Sequence, residues 1–113
     1  MKIRTKIRNT ENPEKLKEHI KKLMPTAQLT QEQKQLKGEA NFQDVWQRAK
    51  EQQIRKTLLE ELKNNKKGKK TFLHLDKLGA STGKLSIYVS SATGEITLEI
   101  PWEEVEKHKQ INK

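Results

Sequence analysis

The chain has 113 residues and a mass of 13.2 kDa, and this length predicts a single domain. There are 24 Lys and Arg residues against 15 Asp and Glu, which leaves a net charge of +9, and hydrophobic residues make up 31% of the chain. The sequence has no cysteine, no run of about 18 apolar residues and no apolar signal segment, so we expect a cytoplasmic protein without disulfides or membrane spans.

The first predicted element is a strand over residues 2–9, where apolar and basic residues alternate with a period of two. Ile3, Thr5 and Ile7 share one face of this strand, which we expect to face the core. The other face carries four bases, which are Lys2, Arg4, Lys6 and Arg8. These bases must face solvent or a ligand, because burying unpaired charges costs too much free energy.

A helix is predicted next. Asn12 is a good N-cap, Pro13 suits the first helical turn, and Pro25 ends the apolar pattern of one helix face. Residues 27–30 and 33–40 are predicted to form two short strands, although they are polar and contain few β-branched residues.

A second helical region begins after Asn41, which we expect to cap it. Apolar residues repeat at helical spacing over 42–49 and again over 54–62, so the region is either one long helix or two helices with a short joint. Phe42 and Trp46 lie on the apolar stripe and are predicted to pack in the core. The region is expected to end near residues 64–68, where Asn and Gly occur.

The last third of the chain has the pattern of a sheet. Strands are predicted over residues 71–75, 85–90 and 95–100, with residues 91–94 as a hairpin connection between the last two. An acidic helix is predicted over 102–108, and residues 109–113 would be a frayed tail. Because strands and helices do not alternate strictly, we predict an α+β domain with helices on one face of a mostly antiparallel sheet.

Charge is distributed unevenly along the chain. Residues 63–70 carry five lysines and no acid, whereas residues 95–106 hold five glutamates and no base. The positive balance favours a polyanionic partner, which in the cytoplasm is usually nucleic acid. We predict that the loop lysines and the bases of the first strand contact RNA phosphates, supported by Lys77 and Lys84; the loop lysines are Lys66, Lys67, Lys69 and Lys70.

Two alternatives to phosphate contacts stay open for these basic segments. The 63–70 loop is also typical of a solvated linker that opposes aggregation beside Phe72 and Leu73. The first strand is also typical of a charged edge strand that resists pairing with another sheet. DNA remains an alternative to RNA, because phosphate contacts alone do not separate the two polymers.

The aromatic residues bear on how RNA would be bound. Tyr88 is predicted on the sheet face opposite Leu85 and Ile87, where it would be exposed for stacking on a base. One exposed aromatic is too few for a stacked platform, so we expect recognition of the backbone and shape of a structured RNA, such as ribosomal RNA.

Signals for catalysis are weak. Residues 79–84 resemble a phosphate-binding loop but have three residues between the glycines instead of four, and Leu85 stands where the magnesium-binding hydroxyl belongs. His74 and Asp76 share a strand face, so an acid–base pair is conceivable, although Asp76 more often pairs with a lysine or a turn amide in this position. We therefore expect no enzymatic activity, no cofactor and no metal site.

Four stretches carry a resemblance to a known family: residues 9–15, which open the first helix with charged residues, residues 53–59, residues 72–85 and the glycine-led strand 94–100. On these stretches the chain resembles a family of small, mainly archaeal proteins described as predicted RNA-binding or exosome-subunit-like. Their fold is similar to that of the ribosomal protein that docks 5S rRNA on the large subunit.

The resemblance implies RNA binding without chemistry, in a ribosome or an RNA-processing complex. The positions that match the motif of the third stretch are Lys77, Ala80 and Gly83, whereas Leu78 and Gly79 depart from its usual Gln-Ala. The leading hypothesis is therefore a non-enzymatic RNA-binding protein. The alternative is a protein-interaction module that docks through its acidic C-terminal helix or a sheet edge.

Overall fold

The computed structural model describes residues 1–88 and 94–111. Within these ranges the elements follow the order β1 (Lys2–Lys6), α1 (Pro13–Leu23), β2 (Gln28–Glu32), β3 (Gln35–Glu39), α2 (Phe42–Glu51), α3 (Arg55–Asn64), β4 (Lys70–Asp76), α4 (Lys77–Ser81), β5 (Glu95–Pro101) and α5 (Trp102–Ile111). The predicted α+β class is confirmed.

The strands form one five-stranded sheet with the order β2-β3-β1-β5-β4, in which neighbouring strands are antiparallel. The first strand of the chain is therefore the middle strand of the sheet. Its Ile3 lies opposite Gly38 of β3 on one side and Leu98 of β5 on the other. The interpretation of this segment as a charged edge strand is wrong, because both of its edges are paired.

One face of the sheet is buried under the helices. The alternation predicted for β1 is confirmed, since Ile3, Thr5 and Ile7 are buried while the four bases are exposed. β4 and β5 alternate in the same way. The core between this face and the helices includes Ile20, Phe42, Leu58, Leu73, Leu75, Leu98 and Val105. The opposite face of the sheet carries mainly polar and charged residues, together with Phe72 of β4, and is open to solvent.

The N-terminal half agrees with the predictions. The Asn12 side-chain oxygen accepts hydrogen bonds from the backbone N–H groups of Glu14 (2.9 Å) and Lys15 (3.4 Å), which caps α1. α1 ends at Leu23, before Pro25. The two short strands are present as β2 and β3, each shifted by one or two residues from its predicted start.

The second helical region is two helices with a short joint. The joint contains Gln53 in the left-handed region at φ 59°, which interrupts the helix. Asn41 occupies the N-cap position of α2, but its side chain makes no capping hydrogen bond. Phe42 and Trp46 are buried as predicted.

The segment from Lys77 to Tyr88 differs from the prediction. A five-residue helix, α4, follows β4 directly, because the Asp76 side chain accepts a hydrogen bond from Leu78 N–H (3.1 Å). The described part of the predicted strand 85–90 forms only an isolated bridge between Ile87 and Leu75. Residues 89–93, which include most of the predicted hairpin connection, lie outside the described residues.

The C-terminal helix is longer than predicted. α5 continues to Ile111 rather than ending at His108, so residues 109–111 are helical and not a frayed tail; residues 112–113 lie outside the described part. Within the described ranges, no helix combines the length and the apolar character needed to cross a membrane.

Candidate nucleic-acid interface

A row of basic side chains follows the centre of the open sheet face. Lys2, Arg4 and Lys6 project from β1 toward solvent, and Arg8 continues the series past the end of the strand. Residues two apart on a strand are about 7 Å from each other, so the three strand bases extend over about 14 Å. Placement on the middle strand lets these charges face a ligand that lies across the whole sheet.

Acidic residues flank this row on both neighbouring strands. By register, Lys2 lies between Glu39 of β3 and Glu99 of β5, whereas Arg4 lies between Lys37 and Thr97. The central position of the face thus combines two cationic side chains and a hydroxyl. The carboxylates next to Lys2 restrict where an anionic group can approach.

Three clefts meet at the centre of this face. Their volumes are about 490, 460 and 440 Å³, and Arg4 and Thr97 line all three. Volumes of this size are in the range of small-ligand sites in proteins. Arg4 is therefore the basic residue common to the three clefts.

Aromatic rings line these clefts. Phe72 lines the first and third clefts, His74 lines the third, and Tyr88 lines the second together with Lys6 and Arg8. All three rings are half-buried. Tyr88, predicted to be exposed for stacking, is half-buried at the wall of the second cleft, and Phe72 of the predicted strand 71–75 lies on the open face.

The 63–70 loop reaches the same face. Glu99 pairs with Lys70 (3.3 Å) and lies 3.9 Å from the Lys2 ammonium, so one carboxylate joins the loop to the first strand. Lys67 lines the third cleft together with Arg4. The two basic segments, which are separated by more than fifty positions in the chain, are thus brought together.

The loop itself has a defined conformation. The backbone N–H of Lys67 donates to the Lys70 carbonyl (2.8 Å), the reverse bond measures 3.3 Å, and Gly68 between them adopts a positive φ of 64°. A glycine is suited to this conformation because it has no Cβ. The segment is a tight hairpin turn at the start of β4, and its lysine side chains are exposed.

Lys66 and Lys69 lie toward α5. The Lys66 ammonium is 4.6 Å from the centre of the Trp102 ring, and the Lys69 carbonyl accepts a hydrogen bond from Trp102 N–H (2.9 Å). The Trp102 indole donates to Glu106 (3.0 Å). Trp102 is half-buried and packs against the core at the edge of the sheet.

Lys77, which was predicted to contact RNA, is buried and bonded within the fold. Its side chain is 6% exposed, and its ammonium donates to the Lys6 carbonyl (2.6 Å) and to the Glu11 carboxylate (2.8 Å). Ala80, also taken from the resemblance, is fully buried, and Gly83 forms a turn at φ 76°. These positions hold the fold together.

Lys84 is exposed but lies beyond α4 and lines none of the three clefts. His74 and Asp76 share the open face as expected. His74 Nδ1 is 3.2 Å from Glu95 and 3.3 Å from Thr97, and the Asp76 side chain caps α4. Among the described residues no cluster of three or more His, Asp and Glu is placed to hold a metal ion.

Comparison with known proteins gives matches at the level of structure. No protein-family model and no curated protein matches the chain. An uncharacterized UPF0201 protein superposes with a TM-score of 0.77 at 24% identity, covering 90% of this chain and 85% of its own. A UPF0201 protein from Methanococcus jannaschii gives 0.78 at 20% identity, covering 97% of this chain and 90% of its own.

A DUF54 protein from Methanothermobacter thermautotrophicus gives a TM-score of 0.66 at 17% identity, covering 99% of this chain and 96% of that protein. The similarity extends over nearly the full length of each chain, so it concerns the whole fold and not a shared motif. The chain therefore has the fold of the archaeal UPF0201 and DUF54 proteins.

Proposed function

We propose that this protein is a non-enzymatic RNA-binding protein whose binding surface is the open face of the sheet together with the 63–70 loop. The setting that we propose is a cytoplasmic ribosome or RNA-processing complex. This setting rests on the resemblance to archaeal predicted RNA-binding and exosome-subunit-like proteins, whose fold is similar to that of the 5S-rRNA-docking ribosomal protein.

The observation that carries the proposal is the cleft that Arg4, Lys67 and Phe72 share. Each basic segment alone can be explained without a ligand, as a solvated loop or as a charged strand. A common cleft with a ring at its wall is better explained by a ligand that has both anionic and planar groups, as nucleic acid does.

The structure reduces the number of basic residues that we propose as RNA contacts. Lys2, Arg4, Lys6, Arg8, Lys67 and Lys70 are exposed and lie on or beside the open face. Lys66, Lys69 and Lys84 are exposed but lie away from the three clefts, and we assign them at most to long-range attraction.

The proposal is tested by the salt dependence of RNA binding. A strand variant carries alanine at Lys2, Arg4 and Lys6. The matched control carries alanine at three exposed lysines of the helical layer, Lys21, Lys50 and Lys56, so that both variants lose the same charge. Binding of a fluorescein-labelled RNA oligonucleotide is followed by anisotropy from about 50 to 200 mM salt, a range in which phosphate contacts weaken steeply.

For a single-stranded RNA we expect the strand variant to lower the slope of log K against log salt by about 2, at about 0.7 for each lost contact. The control variant keeps the wild-type slope. Equal losses in the two variants would mean that charge acts non-specifically, and an unchanged strand variant would remove the open face from consideration. Either result would then favour a protein partner at the acidic helix or a sheet edge.

A further inference from the structure

We propose that the open face binds an unpaired segment of RNA, with its phosphates along β1 and one base stacked on the ring of Phe72. This inference rests on the proposed function and adds the form of the RNA. A structured RNA would then be bound at a loop, bulge or end rather than along a duplex.

The ring of Phe72 lies on the open face of the sheet. Thr71, Leu73 and Leu75 are buried on the helix side of β4, so the ring of Phe72 projects from the open side and remains half-buried. The ring lines both the cleft shared with Lys2 and the cleft shared with Lys67. The Lys70 ammonium lies 5.7 Å from the centre of this ring, so a base that stacks there would take the place of this lysine or stack on the other side of the ring.

The strand register gives the distance between the Phe72 ring and the basic side chains of β1. Phe72 lies opposite Glu99 of β5, and Glu99 lies opposite Lys2 of β1, so the ring is two strands from the basic row. Two inter-strand steps amount to about 10 Å. This separation allows a phosphate on β1 while the attached base reaches across β5 to the ring.

The sign of the charges on the open face changes across the sheet. β1 presents basic residues on the open face, whereas β5 presents Glu95, Thr97 and Glu99. Carboxylates repel phosphates but accept hydrogen bonds from the amino groups of bases. The charge asymmetry therefore orients the RNA strand. Its phosphate backbone lies on β1, and its nucleobases lie on the side of β4 and β5.

Only an unpaired base can make this contact. In a duplex the base faces are stacked on one another, and an RNA helix offers a side chain its phosphates, hydroxyls and groove edges. His74, two residues along β4, gives the same surface a second ring at a spacing of about 7 Å.

The test compares a 10-nucleotide single-stranded RNA, with 2-aminopurine in place of one adenine, with a duplex of the same sequence. The variants are Phe72→Leu, which keeps an apolar side chain but removes the ring, and Phe72→Tyr, which keeps the ring. Thermal unfolding of each variant reports whether it folds. The strand variant serves as the reference for loss of phosphate contacts.

We expect Phe72→Leu to weaken single-strand binding by about 5- to 150-fold, which corresponds to the usual contribution of one stacked base, with no change in duplex binding or in the salt slope. Phe72→Tyr should bind like the wild type. The 2-aminopurine fluorescence should be quenched by the wild-type protein but not by Phe72→Leu, and the wild-type quenching can be measured even if the leucine variant does not fold.

Two results separate the two proposals. If Phe72→Leu binds the single strand as tightly as the wild type while the strand variant binds weakly, the stacking inference is overturned and RNA binding by the open face stands. If the strand variant also binds like the wild type, the proposed function fails and this inference fails with it. Wild-type preference for the duplex would overturn the inference as well.

Discussion

Replacement of Lys77 by methionine is expected to destabilise the protein while leaving the proposed RNA contacts unchanged. The Lys77 ammonium donates to the Lys6 carbonyl at 2.6 Å and to Glu11 Oε1 at 2.8 Å, and the same carboxylate oxygen accepts from Arg8 N–H at 2.8 Å. Lys77 thereby fastens α4 to the end of β1 and to the turn that leads into α1.

The size of the effect follows from the burial of the two partners. Removing one member of a fully buried ion pair costs about 3–5 kcal/mol. The Glu11 side chain is 23% exposed and keeps its bond to Arg8, so part of its solvation is retained. Methionine also fills most of the space of the lysine stem. We therefore expect a loss of about 2–3 kcal/mol in the free energy of unfolding.

The assay is urea unfolding followed by tryptophan fluorescence, with Lys84→Met as the control because Lys84 is an exposed lysine nearby. The control should change the free energy of unfolding by less than about 0.5 kcal/mol. A Lys77→Met variant as stable as the control would refute the structural role of this lysine. A reduced salt slope of RNA binding in the folded variant would show instead that Lys77 does contact phosphate.

Three further substitutions test the fold. Asn12→Ala should cost about 1 kcal/mol, because the alanine cannot cap α1; urea unfolding with no loss would contradict the cap. Gly38→Ala should cost about 1–3 kcal/mol, since its Cβ would overlap the backbone carbonyl of Gln28, and a neutral effect in thermal unfolding would show that β2 can move away freely. Thr71→Val should cost about 1–3 kcal/mol by removing the buried hydroxyl that donates to the Leu62 carbonyl (2.5 Å), and calorimetry showing equal stability would mean that this carbonyl finds another donor.

Local patterns predicted most elements because those elements depend on local physics. α1 has a side-chain cap at Asn12, a proline in its first turn and one apolar face, and each of these signals lies within the helix or next to it. β1 and β5 alternate strictly because one face of each is buried. Such segments carry their own period, so their type was predictable without knowledge of their neighbours.

The region after β4 was not predictable in this way, because its backbone is held by distant groups. Leu85 donates its N–H to the Gln52 side-chain oxygen (2.7 Å) and accepts from the same amide at its carbonyl (3.2 Å). A side chain at the end of α2 thus holds the start of this segment, and its pairing with β4 is limited to the region around Ile87, where Asp76 N–H donates to the Ser86 carbonyl and Tyr88 N–H to the His74 carbonyl (2.8 Å each). α4 is short, contains Gly79 and depends on contact with Ser86, so it has no independent helical signal.

The site was predictable in part. The outward direction of the β1 bases follows from alternation, and continuing the alternation from Leu73 and Leu75 would have placed Lys77 inside and Phe72 outside. The alternation along β4 therefore contains the information on both residues. The central position of β1 and the approach of the 63–70 loop through Glu99 depend on long-range strand order, which no local pattern contains.

The central claim is that RNA binds on the open sheet face, and an NMR titration tests it most directly. A 13.2 kDa chain gives resolvable amide spectra, and a single-stranded RNA oligonucleotide is added in steps to the labelled protein. The account predicts shifts at β1, β4 and β5, largest around Arg4, Phe72 and Thr97, with little change at Lys21 and Lys50 of the helical layer. Shifts confined to the helices, or none at RNA concentrations up to the millimolar range, would contradict it.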